Sequence, residues 1–184
     1  MLTRIFDFLF SALGIICLSP LFVLIYLIAL FDTGKPFFIQ SRIGRNKEIF
    51  NLIKFRTMNI GTKSIASHLS RKQDITRLGK FLRKTKIDEL PQLWNVLIGE
   101  MSLVGPRPNL ENQKNLIEFR KKYNIYSVKP GITGLSQINK IDMSTPELLA
   151  KTDSEMLKTF SIYKYFYYIL KTIFGSGRGD AVRK

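Results

Sequence analysis

From Phe8 to Phe31 the chain carries no charged residue, and this single run limits what the remainder can fold into. A helix of that length reaches about 36 Å, enough to cross a hydrocarbon layer about 30 Å thick. A cleaved leader fits poorly: only Arg4 supplies a basic flank, the apolar stretch is too long, and no small-x-small site follows it. Ser19-Pro20 falls in the middle of the run. Proline removes one helical hydrogen bond and its ring presses on the carbonyl four residues back, at Ile16, so a kink is expected there. Ser19 is placed to satisfy a carbonyl that the proline frees. The residues leave two arrangements open: a kinked helix that spans, or one that turns back within a single leaflet.

Charge lies beyond the run. The chain has 29 Lys plus Arg against 14 Asp plus Glu, net +15, with nearly all of it after Asp32. The positive-inside rule assigns that part to the cytoplasmic face. Nucleic acid, an anionic membrane surface and a phosphate-bearing substrate are the natural partners of such a balance. With 45% hydrophobic and 12% aromatic residues the chain can bury a core, which excludes disorder. The lone Cys17 and the lone His68 exclude a disulfide framework and any Cys- or His-cluster metal site. Metal chemistry would therefore rest on carboxylates and a hard ion such as Mg²⁺.

Two β-like runs, Phe37–Gln40 and Glu48–Met58, flank Arg42-Ile-Gly-Arg-Asn46 and predict a hairpin. Alternation puts Lys54 and Arg56 on one strand face, either solvated or held together by an anion. Asn59–Asp74 reads as a surface loop, and a basic helix is expected from Ile75. Leu90, Leu93, Trp94 and Leu97 form one apolar helical face, with Asp88 as its N-cap, Pro91 in its first turn and Gly99 as its end. Gly105-Pro-Arg-Pro108 predicts a rigid loop, Asn109–Tyr123 a helix, and Lys129-Pro-Gly-Ile-Thr-Gly134 a type II turn. A last helix is expected over Pro146–Phe174, its lysines and aromatics suiting either a membrane interface or packing on the core. The tail from Gly175 to Lys184 reads as a mobile, basic end.

Adjacent acids at Asp88-Glu89, amid Arg83, Lys84 and Lys86, are the candidate site. As a helix cap and a dipole partner they need no further role. The same unsatisfied N–H groups attract phosphate and keep a carboxylate ionised, so a nucleophile and an anion site could coincide.

Several motifs in one order carry a resemblance: Ser19-Pro20 in the apolar segment, Lys54-Phe-Arg-Thr-Met58, Asp88-Glu-Leu-Pro-Gln-Leu-Trp-Asn95, Met101-Ser-Leu-Val-Gly-Pro-Arg-Pro108 and Pro130-Gly-Ile-Thr-Gly134. The chain resembles the bacterial sugar transferases, in the small, monotopic form of the polyprenyl-phosphate phosphoglycosyl transferases. That resemblance implies an α+β, mostly helical fold. A re-entrant membrane helix over residues 1–31 would precede one cytoplasmic catalytic domain over 32–184, with a small hairpin and amphipathic interfacial helices. It implies transfer of a sugar 1-phosphate from a UDP-sugar to undecaprenyl phosphate, with Mg²⁺. Asp88 would be the nucleophile and Glu89 the second acid, either of them a metal ligand. Lys54, Arg56, Arg83, Gln92 and Arg107 would contact substrate, Pro106 and Pro108 would fix Arg107, and Ser19-Pro20 would break the helix. The setting implied is the inner membrane, with anionic lipids and downstream glycosyl transferases as partners and no nucleic acid. Leu135-Ser136 departs from the family pattern, which often has an aromatic and Ala. The rival readings are a non-enzymatic basic membrane protein that gathers anionic lipid or nucleic acid, and a multispan glycosyl transferase, which one apolar segment does not support.

Overall fold

Leu2–Thr33 form one helix, α1, in the computed structural model, which describes residues 2–62 and 72–175. The helix runs through Pro20, so the segment is a single element. Ser19 explains why: its Oγ donates to the Ile16 carbonyl at 2.8 Å, the acceptor that Pro20 has no N–H to serve. The chain is mostly helical, with one apolar N-terminal helix and two small sheets.

α1 is built into the rest of the molecule at both ends. Near its start the Arg4 guanidinium donates to the carbonyls of Val96 and Leu97. Asp7, buried in spite of its charge, accepts from Ser102 Oγ, Leu103 N and Tyr165 OH at 2.8–3.0 Å. Phe6 stacks edge-on against Phe166. Toward its end Leu21, Phe22 and Ile25 join Phe55 and Leu82 in a separate apolar cluster, and Tyr26 meets Phe37. Between these attachments Leu9, Leu13, Ile16, Val23, Leu24 and Leu27 are exposed.

Strands β1 (Phe37–Ile43) and β2 (Ile49–Phe55) form the expected antiparallel hairpin, Phe37 opposite Phe55 and Ile43 opposite Ile49. Phe50 and Leu52 on one face of β2 meet Val96 and Met101, while Phe55 turns to α1. Helix α2 (Arg77–Thr85) starts at Thr76, whose hydroxyl accepts from Gly79 N. His68 and most of the expected 59–74 loop lie outside the described residues.

The acidic pair does not cap a helix. Ile87–Glu89 make a single 3₁₀ turn, and α3 begins only at Gln92 and runs to Ile98. Pro91 has no N–H to offer the Ile87 carbonyl, so Leu90 N serves that carbonyl instead and the tighter pattern results. Gly99, at φ 93°, closes α3 as expected. The orientation of α3 reverses the usual pattern. Gln92, Asn95 and Val96 are buried, whereas Trp94 is 51% exposed and Ile98 52%. Asn95 explains its inward position by donating to Asn51 O and Glu100 and accepting from Ile53 N, which ties α3 to β2. Leu93, on the opposite side, lies beside Gly14 of α1.

The predicted turn at Pro130-Gly131 is instead a strand, β4 (Gly131–Thr133), paired in parallel with β3 (Ser102–Val104). Its glycine is needed for proximity rather than for a positive φ: a Cβ on Gly131 would lie 2.0 Å from the Gly105 nitrogen. Helix α4 covers Lys114–Lys122, shorter than the expected 109–123. After the short α5 (Leu135–Ile138), the single C-terminal helix expected over 146–174 is two, α6 (Pro146–Lys158) and α7 (Ile162–Ile173). Ser161 divides them, its extended backbone and hydroxyl capping Lys164 N. α6 buries Leu149, Ala150, Asp153 and Met156 and is ordinary core. α7 buries Tyr165 and Tyr168 and leaves Tyr163, Leu170 and Ile173 exposed. Of the tail, residues 176–184 lie outside the described residues.

Candidate active site

The 3₁₀ turn delivers both acids into the interior: Asp88 is 4% exposed and Glu89 8%. Glu89 is the hub. One oxygen, Oε1, accepts from Lys54 Nζ at 2.7 Å and from Arg107 Nη2 at 2.9 Å. Burial by itself would raise the Glu89 carboxyl, but Lys54, Arg107 and Lys86 together hold it well below the usual carboxylate range. These cations favour the ionised form of Glu89 in spite of its burial.

Arg107 is held by its backbone as well as by this pair. Six carbonyls in succession from Gly105 to Leu110 each accept a hydrogen bond: from Gln137 Nε2, Gly131 N, Arg120 Nη1, Arg42 Nη1, Ile43 N and Asn109 Nδ2. Pro106 and Pro108 have no N–H to satisfy and a fixed φ, so the loop presents Arg107 in one geometry, as the sequence suggested. Behind it lies a buried polar network that sequence reasoning missed. Arg120, 2% exposed, donates to Asp153 Oδ2 at 2.8 Å and to Asn109 Oδ1 at 3.0 Å; Ser136 Oγ donates to Asp153 Oδ1, and Tyr126 OH to Asn109 Oδ1. Each of these residues is polar in a segment whose pattern gave no strong helical face, so only the three-dimensional fold joins them.

Two cavities meet at Glu89, Arg107 and Ile132. The first, about 10 Å³ or one water's worth of space, is polar and is lined also by Arg42, Lys54 and Gln92. The second is about 630 Å³ and mostly apolar. It opens between α1 (Phe10, Gly14, Leu18), the segment before α3 (Ile87, Leu90) and α7 (Phe166, Ile169, Ile173), with Lys86 in its wall.

Of the expected site residues, Glu89, Lys54, Gln92 and Arg107 come together. Asp88 is beside them in the same turn but lines neither cavity. Arg56 is placed elsewhere: its guanidinium donates to Lys35 O and Phe37 O and covers the Phe38 ring, so the pair expected on one strand face is divided. β2 ends at Phe55, and the alternation that would align Arg56 with Lys54 ends with it. Arg83, in the last turn of α2, lines neither cavity. Among the described residues no three His, Cys, Asp or Glu side chains gather into a metal cluster.

Residues 1–178 match the bacterial sugar transferase family. A Haemophilus influenzae protein described as an uncharacterized sugar transferase is 38% identical over 94% of this chain and 40% of its own length. The undecaprenyl-phosphate glucose phosphotransferase of Komagataeibacter xylinus is 39% identical over 92% of this chain and 35% of its own. The chain thus spans about two fifths of these longer relatives. It covers 83% of the exopolysaccharide production protein ExoY of Sinorhizobium fredii, to which it is 36% identical over 92% of its residues. With a family match over nearly its whole length and a relative of similar size, the chain belongs to the bacterial sugar transferases.

Proposed function

We propose that the chain transfers a sugar 1-phosphate from a UDP-sugar to a polyprenyl phosphate, undecaprenyl phosphate in bacteria, giving a polyprenyl diphosphate sugar and UMP. One observation carries this reading: the ion-paired Glu89–Arg107 centre forms the inner wall of an apolar cavity that opens between α1 and α7. A long-chain acceptor needs such a site, an apolar path ending in fixed charge. The names of relatives agree, since one from Aeromonas hydrophila is described as a UDP-N-acetylgalactosamine-undecaprenyl-phosphate N-acetylgalactosaminephosphotransferase.

Asp88 is the nucleophile. Its carboxylate oxygen bonds to the phosphorus next to the sugar while the bridging oxygen leaves with UMP, and the sugar phosphate remains as an acyl phosphate. A phosphate oxygen of the polyprenyl phosphate then bonds to the same phosphorus, and the Asp88 carboxylate leaves. Arg107 neutralises charge on the transferring phosphate, which is the main lever for this reaction class. Lys54 keeps Glu89 ionised and in place, and Gln92 borders the same space. Arg56 and Arg83 act away from the cavities, Arg56 as a brace of the hairpin base. Mg²⁺, a hard ion that takes carboxylate oxygens, would be held by Asp88 and Glu89. When bound, the ion neutralises the diphosphate of the donor.

α1 is read as re-entrant, with both ends on the cytoplasmic face of the inner membrane. The support is that its two halves pack on the same domain, Arg4 and Asp7 at one end and Phe22 and Ile25 at the other. The exposed apolar residues of α7 and Trp94 and Ile98 of α3 lie at the interface, among anionic lipids. Downstream glycosyl transferases would take the product.

The test is UMP release by the purified protein in nanodiscs with Mg²⁺, undecaprenyl phosphate and a panel of UDP-sugars. Release with one or a few donors, and its loss with incorporation of sugar phosphate in Asp88→Asn, is the expected result. Full activity in Asp88→Asn would overturn the covalent step.

A further inference from the structure

Lys86 has a role in neither the ion pairs nor the hydrogen bonds described above, and its backbone is left-handed, a conformation it shares with Lys47 and Lys140. It closes α2 in the left-handed region, φ 63° and ψ 9°. At such a position glycine is the common choice because it has no Cβ to strain, and a lysine there is disfavoured. A helix end gains nothing from a lysine held in that conformation that a glycine would not also supply. Of the three lysines in this conformation Lys47 and Lys140 are exposed, and Lys86 is the half-buried one.

Its surroundings say what for. Lys86 is half-buried and lines the apolar cavity together with Glu89 and Arg107, while α1 and α7 supply the hydrocarbon wall. Glu89 already has Lys54 and Arg107 on its Oε1 and is not a hydrogen-bonded partner of Lys86, although the lysine's charge reaches it. A cation in the wall of an apolar cavity, beside the Glu89–Arg107 pair, matches one kind of ligand, an amphiphile with a long apolar chain and an anionic head. Arg107, fixed by its loop and paired with Glu89, supplies a planar fork. Lys86 supplies a flexible point charge that follows a phosphate as it moves.

We propose that Lys86 is the residue that receives the phosphate head of the lipid acceptor in the α1–α7 cavity. This assignment rests on the reaction proposed above. The chemistry recognised is a phosphate monoester on a long alkyl chain, which a polyprenyl phosphate or a membrane phosphatidic acid could each provide.

The test uses the full chain in nanodiscs. Lys86→Gly and Lys86→Asn relieve the backbone strain, so their melting temperatures stay level or rise, and failure to fold does not cloud the outcome. The KM for undecaprenyl phosphate is expected to rise about tenfold or more, the loss of one charge-assisted contact, with a far smaller change in KM for the UDP-sugar. Lys86→Arg restores most of the acceptor affinity. Phosphatidic acid added to neutral nanodiscs competes weakly against the acceptor with the wild type. An unaltered acceptor KM in Lys86→Gly, or an equal rise in both KM values, overturns the assignment. Equal competition by phosphatidic acid overturns the choice of acceptor in favour of a headgroup site. If the wild type releases no UMP at all, the reaction itself is refuted, and direct binding of farnesyl phosphate to wild type and Lys86→Gly decides on Lys86: equal affinity refutes it, weaker binding by the variant supports it.

Discussion

Replacing Arg120 by methionine separates two roles of one buried side chain. Arg120 and Asp153 are 2% and 0% exposed in their side chains, with 2.8 Å between Nη2 and Oδ2. Removing the arginine strands the Asp153 carboxylate in the interior, a loss of about 3–5 kcal/mol for a buried pair broken on one side. That is a large share of a typical stability of about 5–15 kcal/mol. At about 2–4 °C per kcal/mol for a chain of this size, the melting temperature of Arg120→Met should fall by about 6–20 °C. The double variant Arg120→Met/Asp153→Leu replaces both charges with apolar groups and also removes Arg120 Nε, which has no hydrogen-bond partner among the described residues. It should regain at least half of the loss, because a buried ion pair is roughly neutral against a well-packed apolar pair. Activity should not follow stability. Both variants lose the bond from Arg120 Nη1 to the Arg107 carbonyl, so UMP release should stay about tenfold to a hundredfold below wild type even where the fold recovers. Thermal unfolding in detergent micelles and UMP release in nanodiscs supply the two measurements. A double variant as unstable as the single one, or one that recovers activity along with its melting temperature, would refute this division.

Two more outcomes follow from the site. Lys54→Gln removes the cation that most opposes the burial of Glu89, so that carboxyl moves upward. A depressed carboxylate contributes stability above its unfolded value and loses it only as pH falls through the folded one, so the acid limb of both activity and stability should move to higher pH; an unmoved limb in a pH series would exclude Lys54 as the support of Glu89. Gly131→Ala must force apart β3 and β4, since its Cβ would meet Gly105 at 2.0 Å, and circular dichroism should report a poorly folded protein whose loss exceeds that of a typical surface change.

The hairpin and the end of α3 at Gly99 were legible in the sequence because each rests on local chemistry, alternation and a left-handed cap, whereas Lys54 and Arg107 came to the acidic pair through the family resemblance and not through local charge. The direction of α3 was not legible. Its apolar stripe is real, yet Asn95 ties the polar side to β2 and turns Trp94 outward, a choice that depends on the unpaired backbone of a distant strand. Asp88 looked like a helix cap because nothing local reveals that Pro91 converts the first turn to 3₁₀ geometry. The β3–β4 pair and the Arg120 network join residues separated by about 30 positions or by none in pattern, so periodicity is silent about them. The division at Ser161 was not read, because the lysine spacing across it suggested one continuous helix.

The contacts of Asp7 set an order for biogenesis. Its partners Ser102 and Tyr165 lie 95 and 158 residues further along the chain. At ~5–20 residues per second, Tyr165 leaves the ribosome about 8–30 s after Asp7. During that interval Ser102 and Leu103 reach the Asp7 carboxylate first, and the Tyr165 hydroxyl is still missing from it. Final closure around Asp7, with Tyr165 last to arrive, therefore waits until nearly the whole chain has been made. A soluble catalytic fragment made without residues 1–33 would leave Ser102, Leu103 and Tyr165 without their shared acceptor and would not be a shortened version of this protein.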